Sequence, residues 1–464
     1  EDTHGVHGSP LGPEVLADFK RKNGFDPKES FVVSEKVRQK YEETILSRGQ
    51  QAEKAWNDLL EKYSREYKDE GLVLKRILSG ELPKDWQKGL PTFNAQTPSD
   101  ATRNINGKIL NNIADVLPEL IGGCADLTPS TKTDIKKSHD FQSNSYDGRY
   151  FRFGVREFGM FAICNGIAAY GSGLIPFSST FLNFITYGWG AVRLGALSHL
   201  RQIYIMTHDS VFLGEDGPTH QPIEVLPLMR ATPNLYTFRP ADGNEIVGSW
   251  IVAVEKLRHS GIVLCLSRQN VVSLDNTSRE GVSHGIYHLA TFDKESKETE
   301  HPVVLISTGS EVGPTFGAAK LLNSKHHLTV HVLSAPCLEL FAQQPLEYKK
   351  KLLGKGLVIS VEAASTSSWQ KYSHYQIGVD RYGASANLKD IAKFFGFTDE
   401  LIADKVLQYR ELVKDITLPL LPCLLPSLKL YIIEILFLGV GIKRKTTQKF
   451  TLILLCCFII KRIL

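Results

Sequence analysis

The chain has 464 residues, enough for two or three domains, and its hydrophobic (42%) and charged (22%) content is typical of a globular protein. The net charge is +4, but residues 416–464 carry seven basic residues and one acidic residue, so the rest of the chain is slightly acidic and lacks the basic excess of a nucleic-acid-binding protein. The seven cysteines include no CxxC pair, which argues against a zinc knuckle or a disulfide framework and favours a reducing compartment.

The first part of the chain is predicted to be helical. Residues 31–72 are rich in charge and carry apolar residues at roughly helical spacing, which is typical of solvated helices. Residues 80–100 are rich in Pro, Gly and polar side chains and predict a linker into a new domain. The chain begins without methionine at "EDTHGVHGSPLG", which resembles the middle of a longer sequence, so we expect more of the protein upstream.

From about residue 100, short apolar runs alternate with predicted helices. The predicted strands are "GLIPFSSTF", "RQIYIMTHD", "NLYTFRPAD" and "GIVLCLSRQ", and the helices include "KILNNIADVLPEL" and "ICNGIAAYG". This alternation predicts an α/β fold with a mostly parallel sheet. Polar residues directly follow several strands, at 207–209, 239–242 and 267–270. Because ligands bind at the carboxyl ends of strands in such sheets, these positions are candidate site residues.

A second α/β unit follows. "HPVVLISTGSEVGPTFGAAKLLNSK" predicts a strand, a glycine turn and a helix, and "LTVHVLSAP" and "KGLVISVEA" predict further strands. The "STGSE" turn could bind a phosphate, but the residues alone favour an ordinary connection between a strand and a helix.

The segment 416–464 differs in composition from everything before it. Prolines and charges interrupt its apolar runs, so none reaches the roughly 20 residues that a membrane-spanning helix needs. A non-native extension is favoured over a membrane anchor, and we set the segment apart from the fold.

The stretch "HDSVFLGEDGPTHQP", residues 208–222, concentrates side chains that handle hydroxyls and protons. Its glycines and prolines favour tight turns, so Asp216 and His220 could point into one cleft. An imidazole exchanges protons near neutral pH, and a carboxylate accepts hydrogen bonds from hydroxyls. A second interpretation is equally open, in which Asp216 caps a turn by accepting hydrogen bonds from nearby amides.

Glu157 and a set of aromatic residues are further candidates. Glu157 lies among apolar residues in "RYFRFGVREFGM", where a carboxylate could exchange a proton with a ligand. The residues alone instead favour an ion pair with one of the arginines of that run. Phe181, Phe184 and Tyr187 are spaced by three, which is more typical of a packed helix face than of a ligand platform.

Taken in order, these motifs resemble the transketolase family, thiamine diphosphate enzymes that move a two-carbon ketol unit between sugar phosphates. The motifs that carry the resemblance are "THGVHGSPL", "LPELIGGCADLTPS", "GRYFRFGVRE", "TFLNF", "THDSVFLGEDGPTHQPIE", "RPADGNE", "LSRQN", "STGSEV", "SVEA" and "DRYGASA". They extend from Thr3 to about Ala386, with weaker similarity to about Asp415, and "GEDGPTHQP" alone is highly specific.

The resemblance implies an architecture and a set of partners. The family has three α/β domains and works as a homodimer on sugar phosphates, with the cofactor between two subunits. On this template, residues 1–75 are the end of the diphosphate-binding domain with its linking helices. Residues 76–279 are a parallel-sheet pyrimidine-binding domain, residues 280–415 are an α/β C-terminal domain, and residues 416–464 are an atypical tail.

The resemblance also implies what is missing. In the family, a GDG-type motif holds the diphosphate and a divalent cation, Mg²⁺ or Ca²⁺, and no such motif occurs in this sequence. We therefore expect an N-terminally truncated chain whose metal ligands lie in the missing part, and we assign no metal ligand here.

Site residues follow from the matched motifs. Glu157 matches the glutamate that bonds the aminopyrimidine ring, and His7 and His220 match histidines near the reacting carbons, so these three are the predicted catalytic residues. Arg103, Ser130, His208 and Arg268 match phosphate ligands, and Asp216 matches the residue that distinguishes the configuration of a hydroxyl. The predicted cofactor contacts are Glu157, Phe181, Phe184, Tyr187, Asp126 and His7. The predicted substrate contacts are His7, Arg103, Ser130, His208, Asp216, His220 and Arg268.

Two alternatives to a cytoplasmic transketolase stay open. Dihydroxyacetone synthase transfers the same unit to formaldehyde, shares nearly all of these motifs and is peroxisomal. A non-catalytic family member that regulates an active dimer partner is a hypothesis of another class. It is motivated by the missing first domain and by Phe158, which stands where the family usually has histidine. Neither nucleic acid nor a membrane is an expected partner.

Overall fold

The computed structural model describes residues 4–293, 302–354 and 356–425. These residues divide into two compact units, one ending at Pro83 and the other beginning at Lys84. Each unit is described by itself below.

The first unit is helical, as predicted. Its helices are α1 (Pro13–Lys22), α2 (Glu35–Tyr41), α3 (Ser47–Glu66) and α4 (Lys68–Ser79), and a π-helical turn joins α2 to α3. Helix α3 packs against α4 where Gly71, the single buried residue among residues 4–83, approaches Ser64. A Cβ at Gly71 would lie 2.6 Å from the Ser64 Cα, so the close approach of the two helices requires glycine.

The second unit begins with a region built on a parallel sheet, which we call the first-sheet region (residues 100–271). In chain order its strands are β1 (Asp100–Ala101), β2 (Leu120–Cys124), β3 (Tyr150–Arg152), β4 (Ile175–Phe181), β5 (Gln202–Thr207), β6 (Leu235–Phe238), β7 (Gly261–Leu266) and β8 (Asn270–Val271). Strands β2 to β7 form one sheet in the spatial order β3-β2-β4-β5-β7-β6, with every neighbouring pair parallel. Strands β1 and β8 form a short antiparallel pair. The predicted α/β fold with a mostly parallel sheet is confirmed.

Helices connect the strands of this region. They are α5 (Thr102–Val116), α6 (Thr128–Thr131), α7 (Glu157–Ala169), α8 (Trp189–Leu197), α9 (Val225–Arg230) and α10 (Gly243–Glu255). Every residue of β4, β5 and β7 is buried, as expected for central strands of a parallel sheet that helices cover on both faces. Asp242 caps α10, because its carboxylate accepts hydrogen bonds from the backbone N–H groups of Asn244 and Glu245 at 3.0 and 3.3 Å.

The rest of the unit, which we call the second-sheet region (residues 287–425), has its own five-stranded sheet. Its strands are β9 (Tyr287–Phe292), β10 (Val303–Ser307), β11 (Val330–Ser334), β12 (Leu357–Val361) and β13 (Tyr375–Ile377), in the spatial order β13-β12-β10-β11-β9. All neighbours are parallel except β9, which is antiparallel to β11. The helices are α11 (Val312–His326), α12 (Leu338–Ala342), α13 (Leu346–Leu353), α14 (Leu388–Phe395) and α15 (Asp399–Leu412).

Residues 416–425 pack onto the second-sheet region. Leu421 and Leu424 are 3% and 2% exposed and join a core cluster that contains Val304 and Trp369. The Cys423 N–H donates a hydrogen bond to the Lys371 carbonyl at 3.1 Å. We set this segment apart from the fold, and for residues 416–425 the structure corrects that separation. The remainder of the tail, 426–464, lies outside the described residues. None of the described helices is long and apolar enough to cross a membrane.

Candidate active site

Predicted site residues follow four neighbouring strands of the first sheet. Asp126 lies two residues after β2, Phe181 ends β4, His208 directly follows β5, and Arg268 lies two residues after β7. Strands β2, β4, β5 and β7 are adjacent in the sheet, so their carboxyl ends lie side by side. This is the edge at which open α/β sheets bind ligands.

A hydrogen-bonded pair, Thr102 and Ser267, brings two arginines together. The Ser267 N–H donates to Thr102 Oγ1 at 2.6 Å, and the Thr102 N–H donates to Ser267 Oγ at 3.0 Å. Arg103 and Arg268 are the next residues in each segment, and they are close enough for the charge of Arg268 to act on Arg103. Arg103 also donates to the Ser130 carbonyl at 2.8 Å, which brings the predicted Ser130 into the group.

The two guanidinium groups repel each other electrostatically. Burial, and after it the charge of Arg268, lower the pKa of Arg103 below its ordinary value. The Nε–H of Arg103 is buried without a hydrogen-bond partner in the described residues. An anion bound between the two side chains would relieve the repulsion and accept hydrogen bonds from both.

His208 is the buried member of this site. Its side chain stacks on Phe181 with ring centroids 3.7 Å apart, and its Nδ1 lies 2.9 Å from Thr207 Oγ1. Burial, followed by the positive charges of the two arginines and of His220, lowers the pKa of His208 to about 3. The ring is therefore neutral near physiological pH, and it contacts a ligand as a hydrogen-bonding group and not as a cation.

The aromatic residues form a chain of rings beside His208. Phe181 stacks on Phe184 at 5.6 Å, Phe184 contacts Tyr187 at 5.7 Å, and the edge of His220 meets Phe184 at 5.2 Å. Phe181 ends a strand, and the other two rings belong to a 3₁₀ turn over Leu182–Gly188, with Tyr187 71% exposed. The helix-face interpretation therefore fits Phe184 and Tyr187, which share one face of this 3₁₀ helix, but not Phe181, which belongs to the strand.

Glu157 begins α7 and is 7% exposed, yet its carboxylate forms no hydrogen bond or ion pair within residues 4–293, 302–354 and 356–425. The arginines of the same run have other partners: Arg149 donates to the Ala114 and Leu117 carbonyls, Arg152 pairs with Asp140, and Arg156 donates to the Phe153 carbonyl. The ion pair that the residues alone favoured is therefore not formed. Helix α7 packs against the aromatic turn, and a Cβ at Gly188 would lie 3.0 Å from the Glu157 carbonyl carbon.

Three predicted site residues make no hydrogen bond or ring contact, within the described residues, to the arginines, His208 or the aromatic rings. Asp126 has a left-handed φ of 62° and is exposed. Its negative charge contributes to raising the pKa of Arg152. Asp216 is exposed and its side chain accepts no hydrogen bond within the described residues, so the capped-turn interpretation is wrong. His7 belongs to the first unit and is exposed there. Their assigned roles stay predictions.

The 208–222 loop is anchored to the second-sheet region. Gln221 Nε2 lies 3.0 Å from the Val211 and Gly214 carbonyls and donates to the Ala384 carbonyl at 2.9 Å. Ser385 Oγ donates to the Glu215 carbonyl at 2.6 Å, so Glu215 contributes its backbone. The motif "DRYGASA", residues 380–386, therefore contacts the loop directly.

The sequence marked Asp209 and Arg239 as candidates by their place after strands, but it did not predict the cluster of charged side chains that they join beneath the loop, which we call the buried charge cluster. Its members, each at most 7% exposed, are Asp209, Arg230, Arg239, Glu311 and Glu362. Asp209 had no assigned role, and "STGSEV", which contains Glu311, was interpreted as an ordinary turn. One signal was available: Arg239 and Glu362 directly follow buried strands, where an unpaired charge would be costly.

The fold and the site define an α/β protein with two arginines, a neutral buried histidine and an unpartnered carboxylate at the ligand edge of its parallel sheet. Three family models match the chain: "Transketolase, thiamine diphosphate binding domain" over residues 1–83, "Transketolase, pyrimidine binding domain" over 99–273, and "Transketolase-like TK C-terminal domain" over 285–398. The chain belongs to the transketolase family. The boundaries that we predicted near residues 75 and 279 stay predictions.

Individual relatives agree with this assignment. Transketolase 1 of Saccharomyces cerevisiae is 43% identical over 410 residues, which cover 87% of this chain and 59% of that protein. A chloroplastic transketolase of Craterostigma plantagineum is 44% identical over 86% of this chain and 77% of that protein. Among solved structures, the transketolase of Pichia stipitis in complex with sedoheptulose-7-phosphate matches with a TM-score of 0.85 and 41% identity, covering 91% of this chain and 62% of that one. The chain thus spans about three fifths of the length of several relatives that it matches.

Proposed function

We propose that the protein containing this chain is a transketolase, which transfers a two-carbon ketol unit from a ketose phosphate to an aldose phosphate with thiamine diphosphate as cofactor. The observation that carries the proposal is the anion-binding cluster of Arg103, Arg268 and neutral His208, next to the unpartnered Glu157. The sugar phosphate in the related Pichia stipitis structure supports the same class of substrate.

The cluster suits the phosphate group of a sugar. Two guanidinium groups supply charge and forked donors, the neutral His208 ring supplies one further hydrogen bond, and Ser130 lies beside Arg103. Asp216 is exposed in the same loop with a free carboxylate, which would accept hydrogen bonds from a substrate hydroxyl. His220, held by Thr219 at 2.9 Å and by the aromatic rings, would move a proton at the reacting oxygen.

The residues near Glu157 fit the cofactor. A carboxylate that is 7% exposed and lacks an internal partner is available to hold a proton at a ring nitrogen of a bound heterocycle. Phe181, Phe184 and Tyr187 offer ring surface beside it. Asp126 and His7 are further cofactor contacts that the resemblance to the family implies. When bound, thiamine diphosphate supplies a nucleophilic carbon for attack on the ketose carbonyl.

A divalent cation, Mg²⁺ or Ca²⁺, accompanies the diphosphate in this proposal. The described residues contain no group of three or more His, Cys, Asp or Glu side chains that could hold a metal ion. We therefore assign no metal ligand in this chain and derive no step through the cation. The five described cysteines are free thiols, which supports a cytoplasmic location, or a peroxisomal one for a dihydroxyacetone synthase.

Loss of one guanidinium should weaken phosphate recognition. In the full-length protein we expect Arg268→Gln to raise KM for ribose 5-phosphate about 10- to 100-fold, the cost of a charge-assisted hydrogen bond. KM for an unphosphorylated acceptor such as formaldehyde should change little. Steady-state assays with both acceptors measure the two values.

The control for this experiment is Lys108→Gln. Lys108 lies on the same helix as Arg103 and pairs with Asp100 at the surface, so its loss removes the same charge without changing the cluster. An Arg268→Gln enzyme with unchanged KM for ribose 5-phosphate would contradict the phosphate assignment. Preference of the wild-type protein for formaldehyde would identify a dihydroxyacetone synthase, and absence of transfer to both acceptors would favour a regulatory family member.

An exposed apolar surface supports the proposed homodimer. Helices α7 and α8 and the segments beside them expose Val155, Phe158, Ile163, Tyr170, Tyr187, Leu194 and Leu197, each by more than half. Helices α7 and α8 pack against each other, and exposed apolar side chains concentrated on neighbouring elements are typical of protein interfaces. Phe158, which departs from the family pattern, belongs to this surface and not to the anion cluster.

A charge placed on this surface should break the dimer. We expect Ile163→Arg to shift the protein from dimer to monomer in sedimentation-velocity experiments, because a buried unpaired charge strongly disfavours association. Leu412→Arg is the matched control, since Leu412 is 74% exposed on α15 and outside this surface. A monomeric wild-type protein, or equal dissociation of both variants, would overturn the assignment of the interface.

A further inference from the structure

We propose that Arg239 is a positioning residue for the anion site, through which the second-sheet region holds His208 in place. The inference rests on the proposed function, because it concerns the phosphate-binding end of the same site. It assigns the second-sheet region a role in substrate binding, although none of the predicted site residues belongs to it.

The hydrogen bonds of Arg239 point in two directions. Its Nε–H donates to Asp209 Oδ2 at 2.8 Å, at the end of β5. Its two terminal nitrogens donate to both carboxylate oxygens of Glu311, and Nη1 also donates to Thr308 Oγ1 at 3.0 Å, at the end of β10. The Arg239 side chain is 0% exposed, so it joins the two sheets without access to water.

Asp209 depends on this contact. Its carboxylate is 1% exposed, Oδ1 has no hydrogen-bond partner in the described residues, and Oδ2 is held by Arg239. Without the Arg239 guanidinium, the buried charge of Asp209 would be unpaired. The Asp209 backbone would then shift so that the carboxylate reaches water.

His208 is sensitive to such a shift. It is the preceding residue, and its φ of 60° lies in the left-handed region, which a side chain with a Cβ adopts only when its surroundings enforce it. A change at Asp209 would release this conformation and turn the imidazole away from Arg103 and Arg268. Phosphate binding would weaken, whereas contacts to the sugar hydroxyls would persist.

The other half of the buried charge cluster provides an internal control. Glu362 accepts hydrogen bonds from both terminal nitrogens of Arg230 at 2.7 Å and from Trp369 Nε1 at 2.8 Å, and it is equally buried. It is linked to Arg239 by a 3.9 Å ion pair and through Thr308, whose hydroxyl accepts from Arg239 and donates to Glu362 at 2.7 Å, but it does not contact Asp209. Loss of its charge should lower stability but leave the bonds of Arg239 to Asp209 and Glu311 in place, so that His208 keeps its position.

The test compares Asp209→Asn and Glu311→Gln with Glu362→Gln in the full-length protein. Calorimetric titration measures binding of ribose 5-phosphate and of unphosphorylated ribose, and thermal unfolding measures stability. We expect the first two variants to bind ribose 5-phosphate about tenfold more weakly, the loss of roughly one hydrogen bond, with ribose binding unchanged. Glu362→Gln should lower the Tm about as much as the other two variants do. Its ratio of ribose 5-phosphate affinity to ribose affinity should equal that of the wild type.

The imidazole NMR signal of His208, recorded without ligand, is the second measurement. It should move in Asp209→Asn and Glu311→Gln and stay in place in Glu362→Gln. Equal changes in all three variants, or an unchanged signal and affinity ratio in the first two, would overturn the inference. If the wild-type protein does not prefer ribose 5-phosphate to ribose, the proposed function fails, while the His208 signal still decides whether Arg239 positions that residue.

Discussion

Replacing Glu157 by Gln is expected to reduce ketol transfer by the full-length protein about 10²- to 10⁴-fold, the usual contribution of a group that moves a proton in the rate-determining step. The carboxylate is 7% exposed and has no partner in the described residues, so it is available to a ligand. Glutamine has nearly the same shape, but its amide cannot take up and release a proton as a carboxylate does. Steady-state assays of transfer to ribose 5-phosphate measure the effect.

The same absence of partners predicts an unusual stability result. Most buried carboxylates are anchored by hydrogen bonds, and their replacement costs stability. Glu157 has no such bond to lose, so the Tm of Glu157→Gln should equal or exceed that of the wild type. Asp140→Asn is the control, because it removes the carboxylate that pairs with Arg152, a residue of the same sequence run, and should leave transfer unchanged. Full activity of Glu157→Gln would contradict the catalytic assignment.

The strands and the ligand edge could be predicted because they depend on local pattern. "RQIYIMTHD" and "GIVLCLSRQ" are buried strands that end in polar residues, and the structure places His208 and Arg268 at the ends of adjacent strands. Buried central strands must be apolar along their whole length, so the point at which polarity returns marks the sheet edge. The placement of His208 and Arg268 follows from that rule, and their proposed role in binding an anion comes from the matched motifs.

Features that depend on distant contacts were not predictable from local pattern. Glu157 lies one residue from Arg156, but that arginine donates to the Phe153 carbonyl, so closeness in the chain did not produce an ion pair. Residues 416–425 follow helix α15 with an unusual composition, yet Leu421 and Leu424 fill a core formed by other segments. Composition alone does not show which distant surface a segment covers.

The buried charge cluster illustrates the same limit. Arg239 contacts Asp209, which lies 30 positions before it in the chain, and Glu311, which lies 72 positions after it. A charged residue after a buried strand is also the pattern of a ligand-binding residue, so the sequence could not distinguish a structural pair from a site. In the structure Asp209 is 1% exposed and paired with Arg239, whereas Arg268 is exposed at the edge of the sheet.

Replacing Arg239 by Met should produce the largest loss of stability of any substitution considered for this chain. Removing one partner from a buried ion pair typically lowers the free energy of unfolding by about 3–5 kcal/mol, because the remaining charge is left without compensation. Here two carboxylates, Asp209 and Glu311, lose their common cation. Arg152→Met, which removes an arginine that is 60% exposed and paired with Asp140, should cost less than about 1 kcal/mol. Urea denaturation followed by circular dichroism measures both variants.

The pH dependence of the stability lost in Arg239→Met distinguishes this electrostatic cause from a packing defect. Burial already raises the pKa of Glu311 above its ordinary value despite the attraction of Arg239. Without Arg239 the pKa rises further, so the folded state of the variant binds protons more readily than its unfolded state. A raised carboxyl pKa favours the folded state at low pH and costs stability as pH increases. The deficit of Arg239→Met relative to the wild type should therefore be smaller at about pH 5 than at about pH 7.5. A deficit that is independent of pH would show that lost packing, and not an unpaired charge, accounts for the effect.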